Sequence, residues 1–139
     1  MRVFILGDRE WSDETAIQQT LSYFSDQDYF LILQHYVMTG ITENVLKYLV
    51  NFHFKYELLP IVYTGGPHDT FRQMDKYLRL SNVGIVLMFH DTWKDSRTMI
   101  LAVRTCKRQG IVCINIRHNI DGGIDQVYIH DGSTKVQEK

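Results

Sequence analysis

The sequence predicts an α/β domain: a Rossmann-like, doubly wound, mostly parallel five-stranded sheet with helices on both faces. Short apolar runs of strand length alternate along the chain with amphipathic segments of helical length, and polar or glycine-rich loops separate them. Residues 82–116 are the clearest unit, because an apolar run, a capped helix and a second apolar run follow one another there. Such a strand–helix–strand unit is a right-handed crossover between parallel strands.

Length and composition are those of one globular domain. The 139 residues are 45% hydrophobic and 22% charged, and the net charge of −1 gives no overall attraction to nucleic acid or an anionic membrane. We expect one domain over residues 1–132, a loose polar tail over 133–139 and a cytoplasmic location, since no stretch resembles a signal peptide or approaches about 18 apolar residues. Cys106 and Cys113 fit core residues of a reduced protein.

The first half of the chain contains two strand–helix units and a third strand. Strands are predicted over residues 2–6, 29–37 and 58–63, and Pro60 favours either an edge position or a ragged start for the last of them. Helices are predicted over 13–24, with Ser12 or Asp13 as the cap, and over 42–54. Their inward-facing residues are predicted to be Ala16, Ile17, Leu21 and Phe24 in the first, and Val45, Leu46, Leu49 and Val50 in the second.

The second half repeats the alternation after a loop over residues 64–67. A helix over 68–80 has a predicted core stripe of Phe71, Met74, Tyr77 and Leu78. A strand over 83–89 precedes a helix that begins at Asp95 or Ser96, has Ile100, Val103 and Lys107 on one face, and ends at Gly110. A strand over 111–116 follows, and residues 124–129 are a candidate for a further, shorter strand.

Four loops, residues 7–12, 39–43, 64–69 and 90–98, open at the carboxyl edge of this predicted sheet, where ligands bind against helix N-termini. Glycines let backbone amides approach a phosphate or a sugar, arginines pair with phosphate, and a tryptophan stacks on a base. The predicted ligand-binding residues are Gly7, Asp8, Arg9, Trp11, Thr39, Gly40, Gly65, Gly66, Asp91, Asp95, Ser96, Arg97 and Thr98.

Ordinary structural roles stay open for the same residues. Glycines end strands in many folds, Arg9 and Arg97 fit solvated surface cations, and Trp11 fits a hydrophobic staple. No G-x-G-x-x-G follows the first strand, and no histidine or cysteine spacing supports a metal site. We therefore expect neither a cofactor nor a metal.

Residues 7–13, Gly-Asp-Arg-Glu-Trp-Ser-Asp, resemble the G-S-R-x-W-x-D start of small members of the SLOG superfamily, which are Rossmann-like relatives of the LOG and DprA proteins of bacteria and their phages. Gly65-Gly66-Pro67 with Met74 resembles the A-G-P-x-R-N-x-x-M segment of that family. Residues 95–100, Ala102 and residues 110–112 resemble its G-x-G-T-x-x-M-I, A and G-I-P-V run. The similarity covers residues 2–116 in the same order.

The resemblance implies a nucleotide or nucleotide-derived ligand in the groove that these loops form. LOG members are phosphoribohydrolases, the related deoxyribosyltransferases use a catalytic carboxylate, and other SLOG domains are assigned to sensing nucleotide-like signals in defence systems. In this sequence Arg97 stands where that family has a glycine before its threonine. The apolar Met99 and Ile100 stand where LOG enzymes carry a glutamate.

Three functions follow as hypotheses. The first is binding, for sensing or sequestering, of a nucleotide-like small molecule, with neither nucleic acid nor membrane as a partner. The second is an enzyme acting on an N-glycosidic bond through a relocated carboxylate, Asp8, Asp91 or Asp95. The third is a protein–protein module that uses the aromatic residues of 23–36. We also expect a homo-oligomer, because Tyr48, Phe52 and Phe54 are more aromatic surface than one sheet face needs.

Overall fold

The structure, a computed structural model, describes residues 1–8, 10–24, 29–35, 40–60 and 67–133. Its elements run in the order β1 (Arg2–Gly7), α1 (Glu14–Leu21), β2 (Phe30–His35), α2 (Gly40–Asn51), β3 (Tyr56–Pro60), α3 (Pro67–Leu80), β4 (Val83–Phe89), α4 (Arg97–Gln109), β5 (Val112–His118) and β6 (Ile124–Asp131). Short 3₁₀ turns cover Ser22–Phe24 and Trp93–Asp95. No helix among the described residues is long and apolar enough to cross a membrane.

Six strands of the described chain form one sheet in the order β3-β2-β1-β4-β5-β6. The first five strands are parallel, and β6 pairs with β5 in the antiparallel direction. The α/β class and the mostly parallel sheet are therefore confirmed, and so is the edge position of the strand that contains Pro60. The predicted count of five strands was wrong, because the candidate segment after residue 123 is a full strand of eight residues.

Two apolar cores lie on opposite faces of the sheet, because successive residues of a strand point to opposite sides. Val3 and Ile5 of β1 pack on one face with residues of α1 and α2. Phe4 and Leu6 pack on the other face with residues of α3 and α4. Helices on both faces, as predicted, leave the two ends of the strands as the places where loops gather.

Most residues that were predicted to face the core are buried, but the buried sides of α2 and α4 differ from the prediction. Val50 is 51% exposed, because Val45 and Leu49 lie one turn apart on the buried side of α2 and Val50 is turned away from them. In α4 the buried side includes Met99, Ala102, Val103 and Cys106, whereas Lys107 is exposed. Five adjacent apolar residues, 99–103, made the period of this helix ambiguous in the sequence.

The aromatic residues of 23–36 serve mainly the core where the structure describes them. The rings of Phe24 and Tyr29 meet edge to face with centroids 5.0 Å apart, and both pack against the core on the α1 side. Tyr23 is 70% exposed. Tyr36 lies outside the described residues. Most of this stretch is therefore core packing rather than a free surface for a partner.

Candidate functional site

The strand order creates a crevice at the carboxyl edge of the sheet. The chain leaves β1 toward β2 on one side, and it leaves β4 toward β5 on the other, although β1 and β4 are neighbours. The loops that follow these two strands consequently diverge, and a crevice opens between them. We call this space, flanked by residues 8, 10–13 and 90–96, the β1/β4 crevice.

Gly7 allows β1 and β4 to approach each other closely at the floor of the crevice. The amide of Asp8 donates a hydrogen bond to the carbonyl oxygen of Phe89 across 2.9 Å. A Cβ atom on Gly7 would lie 2.6 Å from that same oxygen. The sequence suggested that this glycine admits a ligand, and the structure shows that it admits the backbone of β4.

Asp8 then organises the turn after β1. Its Oδ1 accepts the amide hydrogen of Glu10 at 2.9 Å, and its carbonyl oxygen accepts that of Trp11 at 3.0 Å. This double turn sends the Trp11 side chain into the core, and Asn44 of α2 donates to the Trp11 carbonyl oxygen at 3.0 Å. The second oxygen of Asp8 accepts no hydrogen bond from the described residues of this turn.

Trp11 is buried, with 4% of its surface exposed. Its ring stacks on that of His118, with centroids 4.5 Å apart and planes 15° apart, and it meets Phe89 edge-on. The expectation that Trp11 offers a stacking face to a base is therefore corrected: the face is occupied by an imidazole. The alternative of a hydrophobic packing residue describes Trp11 better.

Beside this ring, His118 joins two carboxylates that come from distant parts of the chain. Nε2 of His118 lies 2.7 Å from Oδ2 of Asp13, and Nδ1 lies 2.9 Å from Oδ2 of Asp91. The main-chain amide of His118 also donates to Oδ1 of Asp91 at 2.7 Å. We call Asp13, His118 and Asp91 the histidine clamp.

The clamp connects three loops because each member also has a local role. Asp13 caps α1, and its Oδ1 accepts the amide hydrogen of Ala16 at 3.0 Å. Asp91 lies in the loop after β4, and His118 is the last residue of β5. The clamp thus ties the start of α1 to the loops at the ends of β4 and β5.

The charges of the clamp stabilise one another. Hydrogen bonds that the His118 ring donates to Asp91, and then to Asp13, raise the pKa of His118 above its ordinary value. The backbone hydrogen bond from Ala16, together with the contact to His118, lowers the pKa of Asp13. Burial would raise the pKa of Asp91, but hydrogen bonds from the ring and amide of His118 outweigh it and lower the pKa. All three shifts favour an imidazolium between two carboxylates.

This arrangement limits what His118 does chemically. Both ring nitrogens face carboxylates, so neither is free to act as a general base or to bind a metal while the clamp is intact. Across the part of the chain that the structure describes, no group of three or more histidine, cysteine, aspartate or glutamate side chains is arranged to hold a metal ion. The clamp is a positioning device for the loops of the crevice.

The N-terminus of α4 forms the other wall of the crevice. Ser96 caps the helix, and its Oγ accepts the amide hydrogen of Met99 at 3.3 Å. Of the two predicted caps, Ser96 is the one used, whereas Asp95 belongs to the preceding 3₁₀ turn. Arg97 and Thr98 stand in the first turn of the helix, and Arg97 is exposed.

The other predicted ligand-binding residues divide into two groups. Gly40 begins α2. Arg9, Thr39, Gly65 and Gly66 lie outside the described residues, so their expected roles stay predictions.

Sequence reasoning missed two of the three clamp residues. Asp13 was predicted only as a helix cap, which it is, and its second oxygen was not considered. His118 lies two residues beyond the predicted end of its strand. Extending the predicted strand by two residues would have placed His118 at the carboxyl edge of the sheet. This position is the one feature of the sequence that could have indicated a role for His118.

No protein-family model and no curated protein matches this sequence. Among solved structures, the UDP-GlcNAc 2-epimerase from Neisseria meningitidis, bound to UDP-GlcNAc, matches 86% of this chain and 33% of its own, with 15% identity and a TM-score of 0.52. A Listeria monocytogenes protein named for the same activity matches 85% of this chain and 31% of its own, with 14% identity and a TM-score of 0.49. This chain spans about a third of those proteins, and the likeness concerns the fold.

Proposed function

We propose that this chain binds a nucleotide or nucleotide-derived small molecule in the β1/β4 crevice. The observation that carries the proposal is the strand order, which puts a switch point between β1 and β4, where sheets of this class bind their ligands. The neighbour with bound UDP-GlcNAc supports this ligand class through its similar fold. The resemblance of residues 2–116 to SLOG domains supports the same class.

The first turn of α4 suits an anionic group of such a ligand. The Ser96 side chain accepts the amide hydrogen of Met99. The main-chain amides of Arg97 and Thr98 have no acceptor among the described residues. The partial positive charge at the start of this 13-residue helix adds to the charge of Arg97. We assign a phosphate group to this end of the crevice.

Calorimetric titration with UMP, UDP, UDP-GlcNAc, AMP, ADP-ribose and cyclic nucleotides tests the proposal, after a thermal-shift screen of the same compounds. We expect at least one to bind and to be recovered intact by mass spectrometry. Replacement Arg97→Ala removes one charge-assisted hydrogen bond, worth about 1.5 kcal/mol, so affinity falls about tenfold.

The matched control is Arg104→Ala, which removes the same charge from an exposed position two turns along α4. It leaves the affinity unchanged if Arg97 acts locally. Equal losses in both variants would contradict the assignment of Arg97, and a panel without any binder would reject the proposed function.

An N-glycosidic enzyme is the second candidate. The contacts of Asp91 and Asp8 indicate which of these two carboxylates is available for catalysis. Asp91 is committed to His118 through both of its oxygens. Asp8 keeps one oxygen outside its turn and is held at the floor of the crevice by the Phe89 carbonyl. Asp8 is thus the carboxylate to test for stabilising an oxocarbenium-like centre. Release of free base that is lost in Asp8→Asn but kept in Asp95→Asn would favour this candidate, and intact ligand at high protein concentration would dismiss it.

A further inference from the structure

We propose that the histidine clamp is a proton-operated latch of the β1/β4 crevice, closed while the His118 ring is protonated and released at Asp13 once the ring is neutral. The latch concerns how the crevice opens. Its effect on a ligand rests on the proposed function, but the latch itself is tested without any ligand.

The number of ring protons decides how many bonds the clamp has. A protonated imidazole donates from both nitrogens and satisfies Asp13 and Asp91 together. A neutral imidazole has one N–H, and its other nitrogen presents a lone pair to a carboxylate oxygen less than 3 Å away. Loss of the proton therefore breaks one of the two contacts.

The geometry selects the contact that breaks. Asp91 has two hydrogen bonds from residue 118, one from the ring and one from the main-chain amide at 2.7 Å. Asp13 is joined to His118 through Nε2 alone. The remaining proton consequently stays on Nδ1 toward Asp91, and the loop that leads into α1 is released from the end of β5.

Trp11 reports on the same event. Its ring lies flat on the imidazole at a centroid distance of 4.5 Å, so it senses directly whether that imidazole is charged. Trp11 also sits in the loop that Asp13 terminates, between β1 and α1. Its Nε1 is buried and has no hydrogen-bond partner among the described residues, so the closed state leaves this donor unsatisfied there.

Other charged groups lie on the elements that neighbour the clamp. The loop after β4 also contains His90, which acts on Asp91 through space, and the strands β5 and β6 carry the ion pair of Arg117 and Asp125 at 3.8 Å. The loop after β1 carries Asp8 and Glu10. The pKa of His118 is governed by Asp91 and Asp13 rather than by these groups.

The direction of the pH dependence follows from these shifts. Because the pKa of His118 is raised above 6.5, the latch is closed below that ordinary value and opens as the pH rises through the raised pKa. Because the pKa values of Asp13 and Asp91 are lowered from 3.8, the latch persists below that value and fails only as the carboxylates gain protons.

The test follows Trp11 fluorescence in the full chain carrying Trp93→Phe, alongside an NMR titration of the His118 ring. A protonated imidazole quenches a stacked indole, so we expect fluorescence to rise with pH at the midpoint where His118 titrates, above 6.5. Asp13→Asn keeps a good helix cap and removes one charge of the clamp, so the His118 pKa falls and the fluorescence midpoint moves with it.

Two controls make the result decisive. His118→Gln abolishes the fluorescence transition, whereas His130→Gln, at the opposite end of the sheet, leaves it in place. An ordinary His118 pKa, or constant Trp11 fluorescence while His118 titrates, would overturn the latch. If His118→Gln does not fold, Asp13→Asn alone decides between these results. A working latch in a protein that binds no nucleotide would refute only the proposed function.

Discussion

Replacement of Gly7 by alanine tests the close approach on which the crevice is built. The new Cβ would meet the carbonyl oxygen of Phe89 at 2.6 Å and the Cβ of Phe89 at 3.0 Å. Both atoms belong to Phe89, which is buried at the carboxyl end of β4, and β4 is held between β1 and β5. Gly7 has no positive φ, so the requirement for glycine is steric rather than conformational.

The expected cost comes from two sources. Separating β1 from β4 far enough to seat the methyl group strains a packed core by about 1 to 3 kcal/mol. It also stretches the 2.9 Å hydrogen bond from Asp8 to Phe89, which contributes about 1 kcal/mol. Alanine lowers the conformational entropy of the unfolded chain relative to glycine, and this offsets about 0.5 kcal/mol of the loss. The free energy of unfolding should therefore fall by about 1.5 to 3.5 kcal/mol.

This loss corresponds to a large shift in melting temperature. Unfolding entropy scales with length, and about 2.1 cal/mol/K per residue gives about 0.29 kcal/mol/K for 139 residues. The melting temperature of Gly7→Ala should fall by about 5 to 12 °C in a circular-dichroism melt. Nucleotide binding should weaken as well, because the floor of the crevice moves.

Gly84→Ala is the matched control on the adjacent strand. A Cβ at Gly84 would meet the side chain of Met1 at 3.0 to 3.5 Å, and an unbranched methionine side chain adjusts more easily than the backbone carbonyl that Gly7→Ala would meet. We expect its melting temperature to stay within about 2 °C of the wild type. Equal melting temperatures for Gly7→Ala and Gly84→Ala would refute the steric argument.

Three further predictions concern the helices that frame the site. Ser96→Ala removes the cap of α4 and should lower the free energy of unfolding by about 1 kcal/mol in urea titrations, with no change when Thr98 is replaced by serine. Gly110→Ala forces a φ of 73° on a residue with a Cβ and should cost about 1 kcal/mol in the same assay, whereas Gly123→Ala, with neighbours no nearer than 3.6 Å, should be neutral. Asp75 lies 13% exposed between α3 and α4 and accepts hydrogen bonds from Gln109, Arg108 and Arg79, which outweigh burial and lower its pKa. Asp75→Asn should cost about 1 to 2 kcal/mol at pH 7, and this difference should shrink below pH 3.8 as the wild-type carboxyl gains its proton; a constant difference down to pH 2 would contradict the role of the charge.

Local patterns in the sequence determined most elements correctly. The apolar run at 83–89 became β4 with the predicted bounds, and Ser96 and Gly110 delimit α4 as their capping preferences predict. These features depend on residues within a few positions of one another, so they are readable without the fold. The inward side of α4 was misjudged because its apolar residues are contiguous rather than periodic.

Other features depend on which strands become neighbours. The sequence shows that glycine follows the first strand, but only the pairing of β1 with β4 shows that the carbonyl of Phe89 needs the space. The same holds for Trp11, whose partner His118 lies more than a hundred residues away. A tryptophan in a polar loop suggested a ligand contact because nothing nearby in the sequence indicated a buried partner.

The sequence by itself determined the α/β class, the positions of most helices and strands, the helix caps and the edge of the sheet where the loops gather. The tertiary structure decided the strand order, the antiparallel sixth strand and the histidine clamp. The physical reason is the range of the interactions: periodicity and capping act within one or two turns of chain, whereas Asp13 and His118 are 105 residues apart and meet only through the order of β1, β4 and β5.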